Sequence, residues 1–259
     1  MYMSRHLEDR FLNTMRGSTL NAPSQMFIGL FLSSPGKGGT SGAELSYTGY
    51  TRMPLQFTTP APEGAGIGIR NVSQVTFPQS PINAGEARFV GVFDNPAGGN
   101  MFMFGELTEG LQVNMGDSPV LLVNEVLFFN IGDLSNNYKT RLFNVVRGTA
   151  LNGFAPFLAL FNGNPQAGGS EITGSNYQRQ QMAFGAPAVS PGGYSVISNT
   201  ARVDFPRPAS DWGNCNHVAI FDAQSGGNLV WFQQKSTPMV LNRGVMPFVN
   251  TGGVTVGVS

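Results

Sequence analysis

The sequence predicts a mainly β protein: two tandem antiparallel β-sandwich domains, of jelly-roll or immunoglobulin-like type, each preceded by a short α-helix. Three observations carry this reading. The chain is written twice: FLNTMRGSTLN, MFIGLFLSSP, NVSQVTFP and FVGVFDNPAGGN return in the same order as LFNVVRGTALN, FLALFNGNP, NTARVDFP and HVAIFDAQSGGN. Its apolar runs are short and bounded by Gly, Pro and Ser, as strands between turns are. Helical periodicity is confined to one segment at the start of each copy.

The copies align closely. Arg16-Gly17 matches Arg147-Gly148, Glu44, Tyr50, Arg52 and Phe57 match Glu171, Tyr177, Arg179 and Phe184, and Phe93-Asp94 matches Phe221-Asp222. The offset between copies changes only in Gly/Pro/Ser-rich stretches, where loops absorb insertions. A first domain over residues 1–131 and a second over 132–259 follow, joined near NIGDLS at 130–135. Each half has about 125 residues, enough for an independent core. A period of one whole domain argues against a solenoid or propeller.

The opening helices come first. Ser4 is the expected N-cap of one, with Leu7, Phe11, Leu12 and Met15 as its apolar stripe and Gly17 as its stop. Ser135, then Tyr138, Leu142, Phe143 and Val146, then Gly148, repeat the pattern. Cap, i/i+4 spacing and terminal glycine agree in both. Helices of about three turns need a surface to lie on. The rest reads as six to eight short strands per copy. Phe27–Leu32 and Phe157–Phe161 are strands. Val72–Phe77 and Val203–Phe205 are strands closed by proline. Phe89–Phe93 and Val218–Phe221 lead through a Gly-Gly turn into Met101–Phe104 and Leu229–Phe232, a hairpin. Residues 120–129 and 248–258 supply one final strand each.

Composition narrows the function classes. Formal net charge is zero and charged residues make up 12%, about half the usual 25%. That disfavours bulk electrostatic binding to nucleic acid or anionic membrane. Arg outnumbers Lys 12 to 3 and there are 20 Phe; this fits either an interface enriched in Arg and aromatics or a compositional bias. The single cysteine, Cys215, excludes an intrachain disulfide framework and reads as a small buried hydrophobe. The charged N-terminus, MYMSRHLEDR, lacks an apolar signal region, and no apolar run approaches 18 residues. A soluble chain made in a cytosol is expected.

No residue set asks for catalysis or a cofactor. His217 stands beside Trp212 and Cys215, but its counterpart is Phe89, and a metal site needs three or four ligands. The loop DNPAGGN offers one carboxylate, Asp94, which an Asx-type turn explains better than calcium does. PGKGGTSG at 35–42 lacks the phosphate-loop spacing, and Lys37 is lost in the second copy. Glu44 with Arg52, and Glu171 with Arg179, recur together and are candidate scaffold ion pairs. Leu7, Phe11 and Met15, with Tyr138, Leu142 and Val146, form a candidate docking helix face for neighbouring chains.

The second copy resembles a widespread family of small tailed-bacteriophage virion proteins, known as tail-fibre, decoration or structural proteins. The resemblance rests on Arg147-Gly148-Thr149, the strand 157–161, Gly168-Gly169 with Glu171, Tyr177-Gln178-Arg179, Ser198-Asn199 before Phe205-Pro206, and the block DWGNCNHVAIFDAQSGGNL at 211–229. The first copy is a looser match, with Ala84-Gly85 and Phe89 where the second has Trp212-Gly213 and His217. The resemblance implies a non-enzymatic structural role in the virion, after synthesis in the host bacterial cytoplasm. Its expected partners are other virion proteins, the major capsid protein or tail proteins, with self-association also open. The leading expectation is a capsid decoration or cement protein, because two fused copies present near-equivalent faces to a repeating lattice. The alternative is a tail fibre, tail adaptor or other tail component. A further alternative is a carbohydrate-binding host-attachment module using Trp212, Trp231 and Tyr194.

Overall fold

The computed structural model describes residues 1–64, 66–129 and 134–258. It is mainly β, and its named strand pairs are all antiparallel. The first repeat opens with β1 (Tyr2–Met3) and α1 (Arg5–Thr14), followed by β2 (Met26–Phe31) and β3 (Met53–Leu55). Then come β4 (Ala61–Glu63), β5 (Gly66–Arg70), β6 (Val75–Thr76), β7 (Gly85–Phe93), β8 (Met101–Val113), β9 (Val120–Leu121) and β10 (Leu127–Phe129). The second repeat opens with α2 (Asn136–Val145), β11 (Phe157–Asn162), β12 (Ser170–Glu171) and β13 (Gln180–Gln181). Next are β14 (Ala188–Val189), β15 (Ser195–Ser198), β16 (Val203–Asp204) and β17 (Gly213–Phe221). It ends with β18 (Leu229–Leu241), β19 (Phe248–Val249) and β20 (Thr255–Val258).

Each repeat is a sandwich of a large and a small sheet. The large sheets run β1-β8-β7-β2-β3 and β12-β11-β17-β18, with β13 also on β11. The small sheets run β10-β5-β4 and β14-β15-β20, beside the ladders β6–β9 and β16–β19. Strand β2, MFIGLF, is almost wholly buried on both faces, which is why it reads as an unbroken apolar run instead of an alternation.

Both helices form as their sequences dictate. The Ser4 hydroxyl accepts from the Leu7 N–H at 3.2 Å, and Ser135 accepts from Tyr138 at 3.2 Å. At the other end Ser18 N–H bonds Asn13 C=O and Gly17 N–H bonds Thr14 C=O, with Gly17 at φ +87°. Thr149, Asn144, Gly148 and Val145 repeat those bonds, with Gly148 at φ +98°. This is a Schellman ending, and its left-handed residue is the reason both stops are glycine.

The helices lie where one copy alone does not foretell. Helix α1 packs on its own β8 and also on β15 and β20 of the second repeat; α2 packs on β18 and on β5 of the first. Leu7, Phe11, Met15, Tyr138, Leu142 and Val146 are at most 6% exposed. The face assigned to neighbouring chains is therefore occupied by the other repeat of the same chain. Phe11 meets Tyr138 edge-on, 6.1 Å between ring centroids. Leu20 and Leu151, equivalent residues, exchange backbone hydrogen bonds at 2.8 and 2.9 Å. Arg16 Nε donates to Phe184 C=O and Arg147 Nε to Phe57 C=O, each at 3.3 Å. Reciprocal contacts between equivalent residues define a pseudo-two-fold axis. One buried core runs through both repeats, whereas the sequence predicts a separate core for each.

Three other expectations change. Residues 120–129 and 248–258 each divide into two strands, because a turn intervenes: Asn124 (φ +65°) and Gly252 (φ +73°) take left-handed conformations. Strands β8 and β18 run 13 residues each, well past Phe104 and Phe232. Residues 107–110 bulge out opposite Arg88, and 235–238 opposite Asn216, after which pairing resumes. The strand Val72–Phe77 contracts to β6. The expected boundary at 131/132 lies outside the described residues.

Candidate functional site

The residues that recur most completely converge on one construction, built once in each repeat. Arg52 lies flat over the Phe93 ring, its guanidinium carbon 3.3 Å from the centroid. Its Nε and Nη2 donate to the two oxygens of Glu44 at 2.9 and 2.8 Å. Its Nη1 donates to the carbonyls of Gly98, at 2.6 Å, and Asn95, at 3.4 Å, in the turn after β7. The Tyr50 hydroxyl accepts from Leu30 N–H at 2.8 Å and donates to Glu44 at 3.3 Å. In the second repeat Arg179 lies 3.5 Å over Phe221 and makes the bidentate pair with Glu171 at 2.9 and 2.8 Å. It also donates to Gly226 and Ala223 at 2.6 and 3.1 Å, while Tyr177 bridges Leu160 and Glu171 at 3.0 and 3.2 Å. Burial pushes both tyrosine hydroxyls well above their usual pKa.

Within the turn, Asp94 accepts from Asn100 backbone and side-chain N–H at 2.7 and 2.8 Å. Asp222 does the same with Asn228 at 2.6 and 2.9 Å, and pairs with Arg141 at 3.0 Å. Burial disfavours the Asp222 anion, but the Asn228 donors and Arg141 outweigh it and hold the carboxyl below its usual range. The arrangement thus ties a sheet to its hairpin turn. A bidentate, stacked, carbonyl-capped guanidinium is a positioned structural group.

A cleft opens beside each clamp. The first, 330 Å³, is lined by residues including Ser46, Thr51, Pro96 and Ala97; the second, 540 Å³, has Thr173, Gln178, Gln224 and Ser225 in their places. One exchange lies beneath this difference. Tyr47 leans edge-on against Tyr50, and Trp212 leans edge-on against Tyr177, each with centroids 5.3 Å apart. Tyr47 is replaced by Gly174 in the second repeat, and Trp212 by Ala84 in the first. The supporting ring comes from a different segment each time, Tyr47 between β2 and β3 and Trp212 just before β17, and a Cβ on Gly174 would stand 2.2 Å from Trp212 Nε1.

The remaining chemistry-bearing residues are scattered. Cys215 is fully buried, and burial raises its thiol pKa. His217 Nδ1 sits 2.9 Å from its neighbour Asn216. Trp212 and Trp231 are 6% and 2% exposed, so neither offers a face for a sugar. Tyr194 covers Gly192 and Gly257. Lys37 pairs with buried Glu8 on α1. No group of three or more His, Cys, Asp or Glu that could hold a metal occurs among the described residues.

Two features escape sequence reasoning. Asn71 and Asn199 are buried and knit each final turn: Asn71 donates to Ser73 and Leu122 carbonyls and accepts from Val126 N–H, at 2.7–2.9 Å. Asn199 does likewise with Ala201, Asn250 and Val254. Their recurrence in a polar residue type was the available signal. The second is a polar lock between repeats, where Glu8 and Asp9 receive the Ser195 N–H and hydroxyl, and Arg5 reaches Gly193 C=O at 2.8 Å.

The family model described as "Podophage GP4 fiber I protein gp80" matches the chain twice, over residues 2–128 and 133–257. The chain belongs to that family. It is a tandem duplication within a phage structural family, a virion component whose two matched segments coincide with the two repeats. No curated protein matches the chain. Among the described residues, no helix is long and apolar enough to cross a membrane.

Proposed function

We propose that this phage structural protein is a non-enzymatic component of a tail fibre, assembling with other tail proteins or with further copies of itself. The observation that carries this is the match of a fibre family to both repeats. The duplicated clamps fit it: their charged groups are committed to one another and to turn carbonyls, as in a structural brace. Capsid decoration, the leading expectation from duplication alone, has no comparable support; fusion of two copies suits any repeating or two-fold site equally well.

Position in the particle decides between the two. Tails and filled heads separated from purified particles, each quantified by mass spectrometry, are expected to place the protein with the tails. Its copy number should be on the order of ten per particle, as tail symmetry requires, instead of on the order of hundreds, as a capsid lattice would. Recovery with tail-free heads at lattice stoichiometry would overturn the fibre assignment.

A further inference from the structure

We infer that the cleft of the second repeat is a binding site for a neutral saccharide, and that the equivalent cleft of the first repeat is not. The inference does not depend on where in the particle the chain sits. It rests on how one scaffold has diverged into two surfaces.

The clamp beneath the clefts is the same in both repeats, so differences above it are not needed to hold the fold. Three of them run in one direction. Thr51 becomes Gln178, Pro96 becomes Gln224, and Ala97 becomes Ser225. A pyrrolidine, a methyl and a short hydroxyl give way to two amides and a hydroxyl, each able to donate and accept. The side chains of Thr173, Gln178, Gln224 and Ser225 are exposed and make no hydrogen bond among the described residues. Gly174 lines the second cleft without a side chain, and the ring supporting Tyr177 arrives instead from Trp212. The second cleft is the larger, 540 against 330 Å³; both fall in the roughly 300–1,000 Å³ range of small-molecule sites, so the lining chemistry and not the size distinguishes them.

Electrostatics select the ligand class. The charged groups lining the second cleft are Glu171 and Arg179, and they neutralise each other. Four donations of Arg179 are already taken, two by Glu171 and two by the turn carbonyls. An anionic ligand would have to displace a bidentate partner, and a cationic one would have to compete with the guanidinium. Amides and hydroxyls arrayed around a neutralised floor suit the vicinal hydroxyls of an uncharged sugar. Recognition would be through hydrogen bonds and not through stacking on tryptophan, because both indoles are buried.

The test uses the full chain. An array of neutral and uronate- or sialate-bearing oligosaccharides is screened, and the neutral glucan, galactan or mannan fragments that bind are titrated by calorimetry. The double variant Gln178→Ala/Gln224→Ala should weaken binding by about tenfold or more, as expected for losing two net hydrogen bonds, with the thermal midpoint unchanged. Ser225→Trp, which obstructs the same cleft, should abolish it. Thr51→Ala and Ala97→Trp in the first cleft should leave it unaltered. Absence of neutral-sugar binding, preference for the acidic sugars, insensitivity to both second-cleft changes, or equal loss from the first-cleft changes would each overturn the inference.

Discussion

Arg179 illustrates how a single side chain is fixed from several directions: Glu171 in its plane, Phe221 beneath it, and two carbonyls at its end. Arg179→Ala would leave Glu171 without its partner and two carbonyls uncapped. A loss of about 3 kcal/mol is expected, the cost of breaking a largely buried pair, measured by denaturant unfolding. Arg52→Ala should cost a similar amount. A second residue-scale prediction concerns the aromatic exchange. Gly174→Tyr alone would collide with the indole, and Trp212→Ala alone would leave a cavity costing about 3–5 kcal/mol. The double change recreates the Tyr47/Ala84 arrangement of the first repeat and should recover most of that loss, a coupling readable in a double-mutant cycle. A third concerns Asp222, whose folded pKa is depressed below the ordinary 3.8. Its contribution is therefore complete above that ordinary value and is lost as pH falls through the depressed one. The stability gap between the protein and Asp222→Asn should stay constant from pH 7 to 5 and narrow in stronger acid. The ion-pair partners are legible in the sequence because both copies retain them. The tyrosine bridge and the carbonyl caps are not, because they depend on where a distant turn folds back.

Each helix shows the same division. Cap, stripe and stop can be read locally, because an N-cap hydroxyl, i/i+4 spacing and a left-handed glycine act within a few residues. Ser4→Ala and Ser135→Ala should each lower stability by about 1–2 kcal/mol, the upper part of that range because the hydroxyls also donate to Met101 and Leu229 carbonyls. Circular dichroism during urea unfolding measures this. What the stripe packs against cannot be read locally. An amphipathic helix specifies that it has a partner, and the sequence predicts another chain where the structure places the opposite repeat of the same chain. Strands β8 and β18 make the converse point. Their outer halves, GELTEGLQV and QQKSTPMVL, look like polar loop, yet on either side of the bulges at 107–110 and 235–238 they pair as strand, because β7 and β17 supply the hydrogen-bonding edge.

At the scale of the whole chain, the reciprocal helices and the Leu20–Leu151 pair make the repeats halves of one pseudo-symmetric unit. Unfolding should be a single cooperative transition by calorimetry. Residues 1–129 and 134–259 expressed separately should each expose the surface the other covers, aggregate or self-associate alone, and recover the native fold when co-expressed. Two independent transitions, or two well-folded monomeric halves, would contradict a common core. The lock of Glu8, Asp9 and Ser195 breaks the symmetry, since the position of Glu8 is Lys139 in the second copy. By itself the sequence determined the duplication, the β class, the two helices with their ends, and the Glu/Arg pairs, because periodicity, capping and recurrence are local or are compared position by position. Only the tertiary structure decided that the repeats share one core and that each helix lies across both. It also decided that two clefts on one scaffold have come to differ. Those depend on which apolar faces cover which, and burial is settled between segments far apart in the chain.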